Sequence, residues 1–354
     1  SYTTGIRQDT YYSGPSWNRY FNPDLTWEVG EKINLGLDLQ LFNDFNLTFD
    51  IFREKRRDIF MTRENSIPEI VGTGETKITS NNGEMENKGL DLAIDYNKQI
   101  TKDFFLSFKS TLTFARNKVL KMDEPPYFEY PGLSDVGHPL GTYWGYVADG
   151  LFPDQETIDN SPRQDLGYTP QPGDIKYVNQ PNAKGEYDNV INSNDRVAIG
   201  HPYDPELVYG FGPSMKWKNW DFSFFFQGVA RTSFMMYGMH PFGTTSIKNM
   251  LQFVADDHWS VDNPNPNAAY PRLTKDSNGN NDQYSTYWLR NAAFLKLKNA
   301  EIGYTYKGMR FYLSGVNLLT FSPFKHWDPE MGGGNGLYYP TQRVFNIGFQ
   351  MTIQ

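Results

Sequence analysis

Apolar and polar residues alternate with period two in a series of separate stretches. Ile33, Leu35, Leu37, Leu39 and Leu41 are interleaved with Asn34, Gly36, Asp38 and Gln40; after Asn43-Asp44 the alternation resumes as Phe45, Leu47, Phe49 and Ile51. Period two on both sides of a short Asn-Asp break predicts a β-hairpin. Leu90, Leu92, Ile94 and Tyr96 repeat the pattern, break at Lys98 to Lys102, and continue as Leu106, Phe108, Leu112 and Phe114. Leu207, Tyr209, Phe211, Met215 and Trp217 are followed by Lys218-Asn219 and then Trp220, Phe222, Phe224 and Phe226. Leu295 and Leu297 open a strand whose phase slips before Ile302, Tyr304 and Tyr306, which predicts a bulge. Lys307-Gly308 leads into Phe311 and Leu313, and the last run is Phe345, Ile347, Phe349, Met351 and Ile353.

These runs make about nine strands, and the connections alternate between turns of roughly two to five residues and loops of roughly 31, 90, 62 and 21 residues. A soluble sandwich also alternates apolar and polar positions. The strict short–long order distinguishes the two: short turns on one side and long loops on the other mark an outer-membrane barrel. The fold class expected is therefore all-β, a transmembrane antiparallel up-and-down β-barrel. The long segments are rich in Pro, Gly, Asn and Asp, as in Asp154 to Pro172 and Asp262 to Gly279, and read as surface loops.

Composition agrees. Mean hydropathy is −0.62, which taken alone suggests a soluble chain. Yet the sequence holds 26 Phe, 23 Tyr and 8 Trp, more rings than so polar a chain needs unless they face lipid or sit in interfacial girdles. No run approaches the roughly 20 apolar residues of a membrane-spanning helix. A net charge of −8 argues against nucleic acid as a partner. With no cysteine, thiol catalysis, disulfides and thiolate metal sites are excluded. No signal peptide begins at Ser1, so the sequence reads as processed or as a fragment. If the last strand runs toward the periplasm, Ser1 falls outside the cell, where nicking of a loop tip would place it.

Several short motifs recur in an ordered series: Asn22 to Glu28 (NPDLTWE), Asn87-Lys88-Gly89-Leu90-Asp91, Gly137 to Phe152 (GHPLGTYWGYVADGLF), Pro172-Gly173-Asp174-Ile175, and Asp195 to Gly200 (DRVAIG). Tyr209-Gly210-Phe211, Tyr270 to Leu273 (YPRL), Leu289 to Tyr304, Asn317-Leu318-Leu319, Asp328-Pro329-Glu330 and Tyr339-Pro340 follow. In that order they resemble the C-terminal half of SusC/RagA-type TonB-dependent transporters along residues 1–354. The resemblance implies a barrel of about 22 strands, of which this chain supplies the C-terminal part, with a plug and the N-terminal strands lying outside it. It also implies a SusD-like lipoprotein lid, contact with TonB through the N-terminal region, an oligosaccharide or peptide as cargo, and the outer membrane of a Gram-negative bacterium of the Bacteroidota. Open edges in lipid are costly, so this chain is expected to pair with the N-terminal part of its own barrel and to meet the bilayer directly. A barrel of this kind ends on an outward aromatic; Gln354 is inward by alternation, so one further residue, Phe, is expected after it.

Candidate chemistry is sparse. The histidines His138, His201, His240, His258 and His326 are scattered, and no HExxH, nucleophile elbow or phosphate-binding glycine loop is present. Asp256-Asp257 beside His258 and Trp259 suggests acid–base work only weakly; a solvated loop around a buried tryptophan is the plainer reading. No enzymatic activity is expected. Arg56-Arg57 reads as strand-end charge. The resemblance implies an EF-hand-like loop before Asp195-Arg196, which makes calcium the candidate metal, with Asp188, Asn192 and Asp195 at the fifth, ninth and twelfth places. Asn189 stands where the sharp turn needs glycine and Lys184 where the first carboxylate belongs, so the loop is degenerate. Asp276, Asn278, Asn280 and Asp282 form a second oxygen-rich stretch that reads as an Asn/Gly turn. The aromatic clusters Tyr127, Phe128 and Tyr130, and Tyr143, Trp144 and Tyr146, are the candidates for substrate or lid contact, against the alternative of an interfacial belt. Active, TonB-dependent import is the function expected; a passive porin or adhesion barrel without energy coupling is the alternative.

Overall fold

The computed structural model describes residues 2–4, 10–12, 19–63, 65, 78–237, 250–274 and 278–352. His240, Asp276, Ile353 and Gln354 therefore lie outside the described residues. Nine long strands dominate: β1 (Val29–Leu41), β2 (Phe45–Thr62), β3 (Thr79–Thr101), β4 (Phe104–Lys121), β5 (Leu207–Trp217), β6 (Trp220–Ala230), β7 (Phe294–Tyr306), β8 (Met309–Phe321) and β9 (Val344–Met351). They form one sheet in which each strand pairs antiparallel with its chain neighbours, an unbroken meander from β1 to β9. The alternation expected from the sequence is the alternation observed.

The sheet has two chemically different faces. One carries Leu35, Ile51, Phe311, Ile347 and Phe349, all among the exposed large apolar residues. The other is polar and bonded to itself: Asn34 donates to Asp50 at 3.0 Å, Thr48 to Asp38 at 2.7 Å, and Thr113 to Asp91 at 2.7 Å. Near the short turns on this polar face, Arg310 joins Asp221 (3.0 Å through Nε) and Glu301 (2.5 Å) and lies over the Tyr312 ring. β1 is exposed along its whole length, on both faces.

Turns on one side of the sheet are tight. Lys307 and Gly308 both take positive φ (46° and 80°), the pair required by the two-residue turn whose twist matches the strands. The strands run further at both ends than the alternation indicates. The break expected at Lys98 to Lys102 closes to residues 102–103, and β2 and β3 extend to Thr62 and back to Thr79. β2 passes through the charged run Arg53 to Asp58 and the start of β3 is mostly polar, so no apolar period marks them. Arg56 and Arg57 consequently sit inside β2 rather than at its end, where Arg56 pairs with Glu54 and Glu28 and Arg57 with Glu31. The expected phase slip is a bulge: Lys298 is skipped in the pairing of β7 with both neighbours, opposite Asn317 in β8, which adopts φ 55°.

The packed core lies in the long connections and hardly touches the sheet. Residues 122–206, 231–237, 250–274, 278–293 and 322–343 meet in a cap whose buried cluster includes Tyr146, Ile175, Tyr177, Ile191, Phe234, Val254, Tyr270, Trp288 and Phe324. Four short strand pairs frame it: Tyr143–Gly145 with Val197–Ile199, Ala148–Leu151 with Ile175–Tyr177, Arg163–Gln164 with Val190–Ile191, and Ser233–Met235 with Leu289–Asn291. The segments read as surface loops contain its polar centre. Asp174 is fully buried and accepts hydrogen bonds from Arg272 (2.7 Å), Asn281 (2.8 Å), Asn278 (3.0 Å) and the Gln171 amide (2.8 Å). Asn280 donates to the Ile175 carbonyl, and Tyr177 to the Asn280 carbonyl. Asn278 and Asn280 are thus a buried tie between two loops, which a plain surface turn would not be.

A second tie fixes the cap to the polar face. Lys296 of β7, fully buried, is gripped by Asp328 (2.7 Å) and Glu330, while Lys298 reaches Glu330 at 2.9 Å. Pro329 starts the helical turn Pro329–Met331, and Asp328 caps it by accepting the Glu330 amide.

Two outcomes follow. Asp174→Ala should leave Arg272 as an unpaired, mostly buried charge and destabilise the cap by about 3–5 kcal/mol. Limited proteolysis should then cut within residues 155–175 or 270–290 while the sheet keeps its native electrophoretic mobility; an unchanged digestion pattern would refute the tie. Burial raises the Asp328 and Glu330 carboxyls, but hydrogen bonds from Lys296, with Thr341 on Asp328 and Lys298 on Glu330, outweigh it and hold both below the usual carboxylate range. Their contribution is therefore present above the unfolded pKa and is lost as pH falls through the folded values. Hydrogen exchange of residues 322–343 should quicken there, and exchange independent of pH after correction for the intrinsic rate would contradict it.

Candidate functional site

The cap gathers tyrosines from segments far apart in the chain. Tyr143 lies on the short strand opposite Ile199, and Tyr203 follows it through a hydrogen bond from its amide to the Gly141 carbonyl (3.3 Å). Tyr284 enters through its own carbonyl, which accepts the Tyr146 amide at 2.8 Å. That approach requires Gly145, since a Cβ there would stand 2.4 Å from the Tyr284 oxygen. Tyr237 leaves the strand Ser233–Met235 and donates its amide to Gly334 at 3.1 Å. Gly334, at φ 97°, brings Tyr338 beside it.

Tyr203, Tyr237, Tyr284 and Tyr338 each remain about half exposed. Tyr143 meets Tyr284 edge to face, with centroids 6.5 Å apart. Burial pushes the Tyr143 hydroxyl up to about 12, and the hydrogen bond with Tyr338 raises that of Tyr237. These groups stay neutral hydroxyls near pH 7. Tyr237 and Tyr284 also line a cavity of about 180 Å³. Met236, Tyr270 and Trp288 also line it, and its polar lining includes the amides of Asn278 and Gln283 and the Asp282 carboxylate, which accepts the Asn278 backbone amide. Arg272 reaches this cavity already paired with Asp174 and bonded to the Tyr168 hydroxyl. Aromatic faces, hydroxyls and amides suit a neutral, polar ligand that stacks and hydrogen-bonds.

The residues singled out by sequence are divided. Tyr127 and Phe128 line a separate open cleft of about 530 Å³ with Pro125, Pro126, Glu124 and Ser134, and Phe128 is 84% exposed. Trp144 donates to Asp135 at 2.6 Å and meets the edge of His138. Tyr146 is only 4% exposed and packs against Tyr177 inside the core, so its ring is committed to packing. Tyr143 alone joins the tyrosine site. Tyr203, Tyr237, Tyr284 and Tyr338 carried no local signal, because their common surface exists only once the three long connections fold together.

Tyr130 stands instead by the degenerate calcium loop, where burial first, then the charges of Asp188, Glu129 and Asp195, raise its hydroxyl pKa. In that loop Asp195 accepts the Gln180 and Asn192 amides at 2.7 Å each, Asn192 accepts the Asn194 amide at 2.8 Å, and Asp188 accepts the Val190 amide at 3.0 Å. These bonds account for the loop's fold without an ion, and the set does not fit a calcium cage of six to eight oxygens. Among the described residues no group of three His, Asp or Glu side chains is arranged to hold a metal. His258 bonds the Ala255 carbonyl and His326 stacks on Phe253, so neither is turned toward a shared centre with Asp256 and Asp257.

Comparison with known proteins gives a consistent result. Residues 1–318 match the family model described as TonB dependent receptor-like, beta-barrel. The TonB-dependent receptor P3 of Formosa agariphila is 26% identical over 97% of this chain and 36% of its own length. The TonB-dependent receptor SusC of Bacteroides thetaiotaomicron is 27% identical over 97% of this chain and 34% of its own. The RagAB peptide importer in its open-open state has the same fold, with a TM-score of 0.72 at 21% identity over 97% of this chain and 37% of that one. The chain spans about a third of the length of these curated relatives.

Proposed function

The chain belongs to the TonB dependent receptor-like β-barrel family, and from that membership we propose that it forms the C-terminal part of an outer-membrane barrel for TonB-dependent nutrient import. The observation that carries the reading is the nine-strand meander with an apolar outer face, a polar inner face and a folded cap at one end only. The inner face gives cargo and plug a hydrogen-bonding wall, and the cap receives what arrives from outside. The free edges of β1 and β9 pair with further strands of the same barrel, since unpaired backbone in hydrocarbon costs several kcal/mol per group. A plug in the N-terminal region couples the barrel to TonB, and a SusD-like lipoprotein covers the cap.

The tyrosine site is the place of cargo contact. Its rings stack on sugar or peptide planes, and its neutral hydroxyls supply hydrogen bonds without a fixed charge. Oligosaccharides and peptides both present such groups.

Gentle detergent extraction of the native protein, followed by native mass measurement, should yield a species with a plug-sized upstream segment and a lipoprotein bound. A stable, monodisperse species of only 40.8 kDa would overturn the import reading in favour of a plugless porin or adhesion barrel. For the site, Tyr237→Ala with Tyr284→Ala should weaken cargo binding by about 1–3 kcal/mol, on the scale of two lost aromatic contacts. Calorimetric titration of the intact complex checks this, and undiminished affinity would remove these tyrosines from the binding surface.

A further inference from the structure

The outer face carries a row of cations where its apolar band ends. Strand register sets Ile51 opposite Leu90 and Leu90 opposite Phe114, the last apolar row before the cap. One outward position nearer the cap, Arg53 stands opposite Lys88, and Lys88 opposite Arg116. Like charges directly opposite one another on neighbouring strands destabilise a sheet. Three in register need something to balance them.

The chain balances them only in part. Glu86 pairs with Arg53 at 2.6 Å and with Lys88 at 2.7 Å, and Glu206 pairs with Arg116 at 3.0 Å and Arg231 at 2.6 Å. Both carboxylates are buried among these cations, whereas the Arg53, Lys88 and Arg116 side chains stay more than half exposed. Lys118, the next outward residue on β4, faces Glu86 across the strands, yet it is exposed and forms no ion pair among the described residues. Arg231 lies over the Phe114 ring, which places it in the same patch. Five cations thus meet two carboxylates, an excess of positive charge on a chain whose net charge is −8. Lys55 and Arg57 beyond the row are matched by Glu84 and Glu31.

We propose that this row binds the phosphate headgroup of a lipid in the outer leaflet of the membrane. The inference rests on the reading of the cap as the extracellular end of an outer-membrane barrel. The patch points sideways, along the face that meets hydrocarbon, so a lid seated on the cap does not cover it. Acyl chains lie against Ile51, Leu90 and Phe114 below, while the guanidinium groups of Arg53 and Arg116 offer paired donors to phosphate oxygens above. Such a lipid supplies the negative charge that the sheet itself lacks.

The test uses the full-length receptor in a neutral maltoside detergent, titrated with bisphosphoryl lipid A and followed by native mass spectrometry. Phosphatase-treated lipid A and inorganic phosphate are the comparison arms. Lys88→Gln with Lys118→Gln leaves Glu86 still paired with Arg53, so the fold is not put at risk. At about fivefold per cation, the double variant should bind the phosphorylated lipid about 25-fold more weakly. Lys216→Gln, on the polar face, should bind as the parent does. Equal retention of the dephosphorylated lipid, displacement by inorganic phosphate at matched concentration, or undiminished binding by the double variant would each overturn the proposal. Lipoprotein copurification is measured on the same samples; its persistence when lipid binding fails would refute this inference and leave the import reading standing.

Discussion

Hydrocarbon accepts no hydrogen bonds, so each backbone N–H and C=O that enters it must already be paired. That constraint orders the rest of the molecule. It explains why nine strands follow one another without a crossover, each bonded to its chain neighbours. It also explains why the apolar side chains of Leu35, Ile347 and Phe349 can point away from the protein, since lipid takes the place of a packed core. The strand walls need no interior of their own. Their polar face is instead stitched by side-chain pairs such as Asn34 with Asp50 and Arg310 with Asp221.

Above the wall the solvent changes and so does the architecture. The long connections meet water, where exposed apolar surface is unfavourable, and they respond by folding into a cap with a dense aromatic core. Long irregular segments carry many backbone groups that regular strands would pair. Asn280 and Asn281 take over that task in the buried centre by satisfying the Ile175 carbonyl and amide from another loop, while Asp174 accepts the side chains of Asn278 and Asn281. A single carboxylate shared by Arg272 and two asparagines makes the centre cooperative, so its parts stand or fall together.

The two regions are joined by charge. Lys296 rises from the wall, and the carboxylates of Asp328 and Glu330 descend to it from the cap. The bulge at Lys298, opposite left-handed Asn317, turns the end of β7 so that both lysines reach Glu330. With the cap fixed in this way, Tyr143, Tyr203, Tyr237, Tyr284 and Tyr338 are held at a constant spacing. The proposed cargo would then meet a preformed surface and would not have to order loops, which lowers the entropic cost of binding.

The sequence by itself determined the strands, their phase, the tight turns and the sidedness of the loops, because a wall between lipid and water imprints a period of two on every segment that crosses it. Lys307-Gly308 and the slip before Ile302 were legible for the same local reason. The extensions of β2 and β3 were not, since strands polar on both faces over much of their length leave no period. The cap's core, the burial of Asn278 and Asn280, the withdrawal of Tyr146 from the surface and the gathering of the tyrosines were decided only by tertiary structure. Each depends on contacts between residues some hundred positions apart, such as Asp174 with Asn281, and no local pattern records which distant loop a side chain will meet.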